Sequence, residues 1–248
     1  MAPLSGLLLV VTAFATAFLS GIFGMAGGLV LMGVLALMLP VSAAFVAHGV
    51  LQITANGWRS FLHRRHIRWE IAGWYALASL GAAALVASLA WQPSLVLLFV
   101  LMGLTPLLVW LPRSWLRLDA SRPVHALLSG ASVTGLNLTA GVAGPLLDIF
   151  FVRTSLDRHE IVATKAVTQV FSHIAKIAVY GAPLVAMDSA AFPPFWVFAL
   201  AIPLSMLGTA AGGRVLARFS DAGFKRWTAW IVTAIGLVYL AKAGMLVS

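Results

Sequence analysis

Leu19-Ser-Gly-Ile-Phe-Gly-Met-Ala-Gly-Gly28 is the stretch whose reading decides the fold. It interrupts an apolar run from Leu4 to Pro40, which is too long for one membrane span of about 20 residues. Its four glycines, Gly21, Gly24, Gly27 and Gly28, each weaken a helix by roughly 1 kcal/mol relative to alanine. Hydrocarbon tolerates open backbone only where protein or a water-filled cavity surrounds it, so the stretch predicts a helix break facing the interior. The pattern returns 114 positions later as Val133-Thr-Gly-Leu-Asn-Leu-Thr-Ala-Gly141. One broken helix in each half of a chain points to a transporter's binding site.

Composition fits that environment. Of 248 residues, 61% are hydrophobic and 9% charged, and the mean hydropathy of +1.00 is that of a polytopic helical membrane protein. The absence of cysteine excludes disulfides and cysteine-ligated metals. The segment Leu7–Phe18 resembles the apolar core of a signal peptide, but no basic residue precedes it and Ala126–Val133 is its counterpart in the second half, so it is read as part of the fold.

Ordinary spans follow each break. Residues 1–112 form a first repeat, with a hairpin over 4–39 and spans at 43–62, 71–90 and 94–111. A cytoplasmic linker at 113–123 leads to a second repeat over 124–248, with a hairpin at 124–151 and spans at 161–180, 195–216 and 227–246. Gly21 aligns with Gly135 and Gly27 with Gly141; after a three-residue insertion, Gln52–Arg59 lies over Gln169–Lys176. Leu80–Ala84 matches Leu207–Ala211, and Met102–Leu104 matches Ile235–Leu237. Each match is weak, and their common order is what makes the repeat.

Charge sets the orientation. Arg64, Arg65 and Arg68 share one loop; Arg113, Arg117 and Arg122 a second; Arg153 and Arg158 a third; Arg214, Arg218, Lys225 and Arg226 a fourth. The connections at Val41–Ser42, Trp91–Pro93 and Gly181–Pro194 carry no lysine or arginine, so the basic loops are expected in the cytoplasm and both termini outside. Each hairpin then returns to its side of entry, and the odd number of crossings after it inverts one half relative to the other. The fold class is all-α, with two inverted repeats that each comprise a re-entrant-like hairpin and three transmembrane helices. Topology accounts for most of the net charge of +9, so no nucleic-acid role is inferred.

In such a pair the glycine tips approach each other near the midplane, and legs 29–39 and 142–151 begin there. Helix N-termini at the tips would offer N–H groups to an anion. Gly24, Ala26, Gly27 and Gly28 in the first tip, and Thr139, Ala140 and Gly141 in the second, are small enough to admit a ligand to the backbone. Alternatively, these residues permit close helix packing. Polar groups inside the spans give the second signal. His48, Gln52, Asn56 and Arg59 recur at helical spacing, and Lys165, Gln169, His173 and Lys176 repeat the spacing. Two such stripes suit an anion pathway, with amides at mid-depth and a cation towards one end. Snorkelling is the alternative for Arg59 and Lys176, and interhelical hydrogen bonding for Gln52, Gln169, Asn56 and His173.

Asn137 is a candidate ligand at the second tip, or a helix cap. Asp148, the acid well inside an apolar segment, is a candidate proton carrier together with His173, or else a partner of Lys165 or Lys176, or a residue near the cytoplasmic end of a short leg. His63 and His66 are read as a solvated loop rather than a metal pair, since no carboxylate or cysteine stands near them in sequence. There is no H-E-x-x-H pair, G-x-S-x-G elbow, phosphate loop or C-x-x-C, so neither a catalytic residue nor a cofactor is expected.

Ser20-Gly-Ile-Phe-Gly-Met-Ala-Gly-Gly28, the apolar leg ending at Pro40, the stripe ending Asn56-Gly-Trp-Arg59 and the repeated halves resemble the TauE/SafE sulfite exporter family. The resemblance runs from Leu4 to Gly244, and the second tip is poorer in glycine than is usual in the family. It implies a secondary transporter of sulfite, a sulfonate or a related organosulfur or carboxylate anion across the bacterial inner membrane, driven by an ion gradient. The expected partners are a small anion, the lipid bilayer and coupling protons, with a homo-oligomer left open. An anion channel or uniporter on the same scaffold is the alternative.

Overall fold

The computed structural model describes residues 2–112, 118–186, 192–216 and 221–247, leaving aside the side chains of 25, 182–186 and 221–225. Helix α1 (Pro3–Phe23) meets α2 (Met25–Met38) at Gly24, and α3 (Val41–Leu62) follows. A 3-10 turn at Arg64–His66 leads to α4 (Trp69–Ser88), and α5 (Leu95–Leu104) continues as a 3-10 segment, Thr105–Trp110. The second half comprises α6 (Pro123–Ala140), α7 (Gly144–Phe151), α8 (Arg158–Ala186), α9 (Phe195–Leu216) and α10 (Asp221–Val247). Helix makes up 86% of the chain and the described residues contain no strand, so backbone groups pair within segments as hydrocarbon requires. The chain is an all-α polytopic membrane protein.

Hydropathy sorts the helices into layers. Helices α1, α4 and α9, and Arg226–Val247 of α10, are long and apolar enough to cross a bilayer. α4 and α10 are the most outward, with Leu80, Leu85, Leu237 and Val238 exposed on surfaces that suit lipid. α3 and α8 have 22 and 29 residues, or about 33 and 44 Å at 1.5 Å per residue, and are long enough to span but more polar. They pack antiparallel against each other at the centre: Gly49 lies beside Ile177, Gly57 beside Val170, and His63 beside His159.

The other principal contacts also join the halves, α1 with α9, α4 with α6 and α5 with α10. Small residues permit the closest of them. The Cα atoms of Gly21 and Gly212 approach so nearly that a Cβ on Gly21 would lie 2.8 Å from Gly212 Cα, and Gly130 sits directly on the Tyr75 backbone. Gly81, paired in sequence with Gly208, faces open space, whereas Gly208 abuts the Phe14 carbonyl. That pair does not share a packing role.

Several boundaries move. α1 stays helical through Gly21 to Phe23, because Gly21 is packed on α9, and the break falls at Gly24 with φ +64°. The leg α2 therefore starts at Met25 rather than Leu29. The second break spans Gly141 (φ +75°) to Ala143, leaving Val133–Ala140 helical and starting α7 at Gly144 rather than Val142. Gly24 and Gly141 stand 117 positions apart, as do Gln52 and Gln169, so tips and stripes share one register without the three-residue insertion. α8 continues to Ala186, six residues past the predicted end at 180, through Gly181 and Pro183. Lipid-embedded helices tolerate both residue types better than soluble ones.

The first three basic loops adjoin on one side. Arg68 Nη1 pairs with Glu160 Oε1 at 3.2 Å, and Ala120 N donates to Phe150 O. Arg113, Arg117 and Arg218, and the Lys225 side chain, lie outside the described residues.

Candidate functional site

The polar stripes face each other across the α3–α8 contact. The Lys176 side chain is fully buried, although the sequence places it near a helix end where it could snorkel. With α8 extending ten residues beyond it, the interface is out of reach. Its Nζ donates to Gly141 O at 2.6 Å and to His48 Nδ1 at 3.2 Å, and lies 5.2 Å from the centroid of the Phe45 ring. His48 Nε2 then donates to Gly28 O at 3.0 Å. The carbonyl can only accept and the ammonium can only donate, so these partners fix His48 as the neutral Nε2–H tautomer. One buried chain of contacts thereby links the second break at Gly141 to Gly28 in the first turn of α2.

His173 continues the cluster, its ring 5.4 Å from that of His48. Asn137 Nδ2 donates to His173 Nδ1 at 3.4 Å, while Asn137 Oδ1 is buried and has no partner. Phe45 and Tyr180 close one wall, and Tyr180 OH donates to Leu138 O. Behind His173, a hydroxyl network of Tyr75, Ser172, Thr134 and Ser79 ties α4, α6 and α8 together.

The electrostatics of Lys176 are incompletely balanced. Transfer of an ammonium from water costs several kcal/mol, whereas a helix C-terminus returns at most about 2 kcal/mol. Glu160 pairs with Arg68 and Asp148 with Lys165, and the partners of Lys176 are Gly141 O and His48, so no carboxylate among the described residues neutralises it.

Arg59 holds the other break. Its Nη2 donates to Ser20 O at 2.7 Å, and Nη1 leans back to Asn56 Oδ1 at 3.5 Å. Asn56 donates to Gln52 Oε1 at 3.2 Å, and a Cβ on Gly28 would lie 3.3 Å from Gln52 Nε2. His48 and Asn56 stand two turns apart, about 12 Å. The two breaks therefore lie at different levels of the α3–α8 pair instead of meeting at the midplane, and Gly141 packs against Met32 in the middle of α2.

The remaining sequence candidates are placed as follows. Gln169 is half-buried with no side-chain partner among the described residues. Lys165 is engaged by Asp148, with about a third of each side chain exposed. Ala26 is fully buried in the apolar core, and Gly27 is pressed against the Thr16 carbonyl and Ser20 of α1; helix packing accounts for both. The Thr139 hydroxyl is turned back to Gly135 O and Leu136 O. Gly24 is exposed at the first break.

His48 is the residue whose place the sequence undervalues. It reads as one member of a stripe, and its contacts with Gly28 and Lys176 depend on long-range packing. A second missed signal is Asp157-Arg-His-Glu160, a capping box at the start of α8. Asp157 Oδ1 accepts from Glu160 N and His159 N, and Glu160 Oε2 accepts from Asp157 N. The Glu160 amide, followed by that of His159, holds the Asp157 carboxyl below its usual range. His63, His66 and His159 gather at this end with ring centroids 5.3 and 6.1 Å apart across the two loops. No group of three metal-holding side chains occurs among the described residues.

Lipid-facing apolar helices around a polar, cation-bearing centre define a multi-pass membrane protein of the transporter class. Residues 9–239 match the family model described as Sulfite exporter TauE/SafE, and the chain belongs to that family. Its general function is accordingly membrane transport. No curated protein and no solved structure matches the chain.

Proposed function

We propose that the chain is a secondary transporter that moves a small sulfur-containing anion, such as sulfite or a sulfonate, across the bacterial inner membrane. The observation that carries this reading is the buried Lys176 ammonium, which lacks a carboxylate, donates to the backbone of the second helix break and connects through His48 to the α2 backbone at Gly28. An anion there supplies the missing charge. Gln52, Asn56, Gln169 and His173 line the route, and Arg59 offers a second cation about three turns from His48 along α3.

Reciprocal packing of α1 on α9 and α4 on α6 supports an inverted-repeat scaffold, on which the halves rock to give alternating access. The basic loops would face the cytoplasm and both termini the outside. Coupling would run through Asp148, whose protonation frees Lys165 for the anion.

Flux of labelled sulfite into liposomes containing the purified chain tests the reading. Saturable flux that accelerates under a pH gradient is the expected result. Saturable flux indifferent to the gradient makes the protein a uniporter, and non-saturating flux a channel.

A further inference from the structure

Two features of the Lys176 site bear on which ionic form it accepts. The first is charge. Lys176 is the one uncancelled cation there: His48 is held neutral by its two partners, Lys165 is paired with Asp148, and Arg59 is bound to Ser20 O, about 16 Å from His48 along α3. The second is the orphaned acceptor, Asn137 Oδ1, buried beside His173. A bare oxyanion presents only lone pairs to that oxygen, whereas a hydroxyl on the anion would satisfy it.

We propose that the Lys176 site selects oxyanions carrying a single negative charge and a proton, of which bisulfite is the sulfur representative. The proposal rests on the anion-site reading above. Lys176 neutralises the charge, and the anion's O–H donates to Asn137 Oδ1. A dianion brings a second charge without a partner, and a sulfonate lacks the proton.

Calorimetric binding to the full chain in detergent tests this, with sulfite, methanesulfonate and sulfate titrated at pH values on both sides of sulfite's second ionisation. Apparent sulfite affinity is expected to fall about tenfold per pH unit above that ionisation, following the bisulfite fraction. Methanesulfonate is a monoanion throughout and controls for the protein's own titratable groups around the site: His48, His173, Lys176, Tyr180, Arg59 and the Lys165–Asp148 pair on α3, α7 and α8. α2 contributes none and α6 only His125; α4 carries Glu70 and Tyr75, and α10 Asp221, Lys225, Arg226, Tyr239 and Lys242. Methanesulfonate should bind more weakly than bisulfite without the steep fall, and sulfate should not compete.

Sulfite affinity that is flat or rises with pH, or sulfate binding on a par, overturns the inference and leaves the anion site standing. Failure of all three anions to bind removes the anion site and the inference together. Asn137→Leu should bring bisulfite down to the level of methanesulfonate, with retained methanesulfonate binding as the folding control. A bisulfite preference that survives in that variant also overturns the role given to Asn137.

Discussion

Lys176 on α8 donates to the main-chain oxygen of Gly141, the residue whose left-handed backbone ends α6. A side chain from the central helix pair thus grips the second helix break directly. Arg59 grips the first through Ser20 O. Any movement of either tip relative to α3 and α8 must therefore change the surroundings of a cation.

Lys176→Gln should lower saturable sulfite flux roughly 10- to 100-fold, the range expected from losing hydrogen bonds made by a charged group. Lys176→Arg keeps the charge and should retain part of the flux. Initial rates in liposomes at matched protein content distinguish the two. Equal flux from wild type and Lys176→Gln would move the site elsewhere.

Gln52→Ala and Gln169→Ala should each weaken anion binding severalfold, while Arg64→Ala, in the loop, should leave it unchanged. Gln169 is the cleaner of the two tests, because Gln52 also accepts from Asn56. Titration calorimetry reads the difference. If both glutamine variants bind every candidate anion as well as wild type, the stripe is structural.

Gly27→Ala should destabilise the fold by about 1–3 kcal/mol through overpacking against α1, and Gly24→Ala by about 1–2 kcal/mol through its left-handed backbone. Gly27 has no room for a methyl group, whereas nothing lies within 4 Å of a Cβ on Gly24. Thermal unfolding in detergent checks both. A neutral Gly27→Ala would contradict the packing role given to this residue.

Burial lowers the His63 pKa, and His159, Arg59 and His66 add to the effect. The folded form thus binds a proton less readily than the unfolded one, so this contribution to stability is complete above the ordinary histidine range near 6.5 and is lost as pH falls through and below it. His63→Gln should flatten the acid-side loss of thermal stability. An unchanged slope would place the acid sensitivity in other groups.

Asp148→Asn should leave Lys165 without its partner and remove the effect of a pH gradient on flux. The pair is about a third exposed, so a double-mutant cycle with Lys165→Gln should give a coupling energy on the order of 1 kcal/mol or less. Gradient-dependent flux surviving in Asp148→Asn would assign coupling to another group.

The sequence makes the stripes legible because i, i+4 spacing is a local property, and Gln52, Asn56, His173 and Lys176 all fall on the central contact. It marks both breaks as regions but not the residue at which each occurs. Gly21 remains helical because Gly212 of α9 packs on it, and Gly27 because α1 does, and neither neighbour is near in sequence. The end of α8 was hidden for a similar reason: Gly181 and Pro183 signal a turn in water, and the lipid setting lets the helix continue. The joining of His48 to Lys176, 128 positions apart, needed the fold itself.

The register of 117 gives a final consequence. Under alternating access, two identical halves would exchange roles and make the inward- and outward-open forms equal in energy. Here the register pairs Arg59 with Lys176 and His48 with Lys165, so corresponding sites differ in charge and hydration. Exchange of roles no longer returns the same molecule. The unloaded carrier would then rest with one particular face open, and the tilt of that equilibrium would be written in these two pairs and in a third, Asn56 with His173.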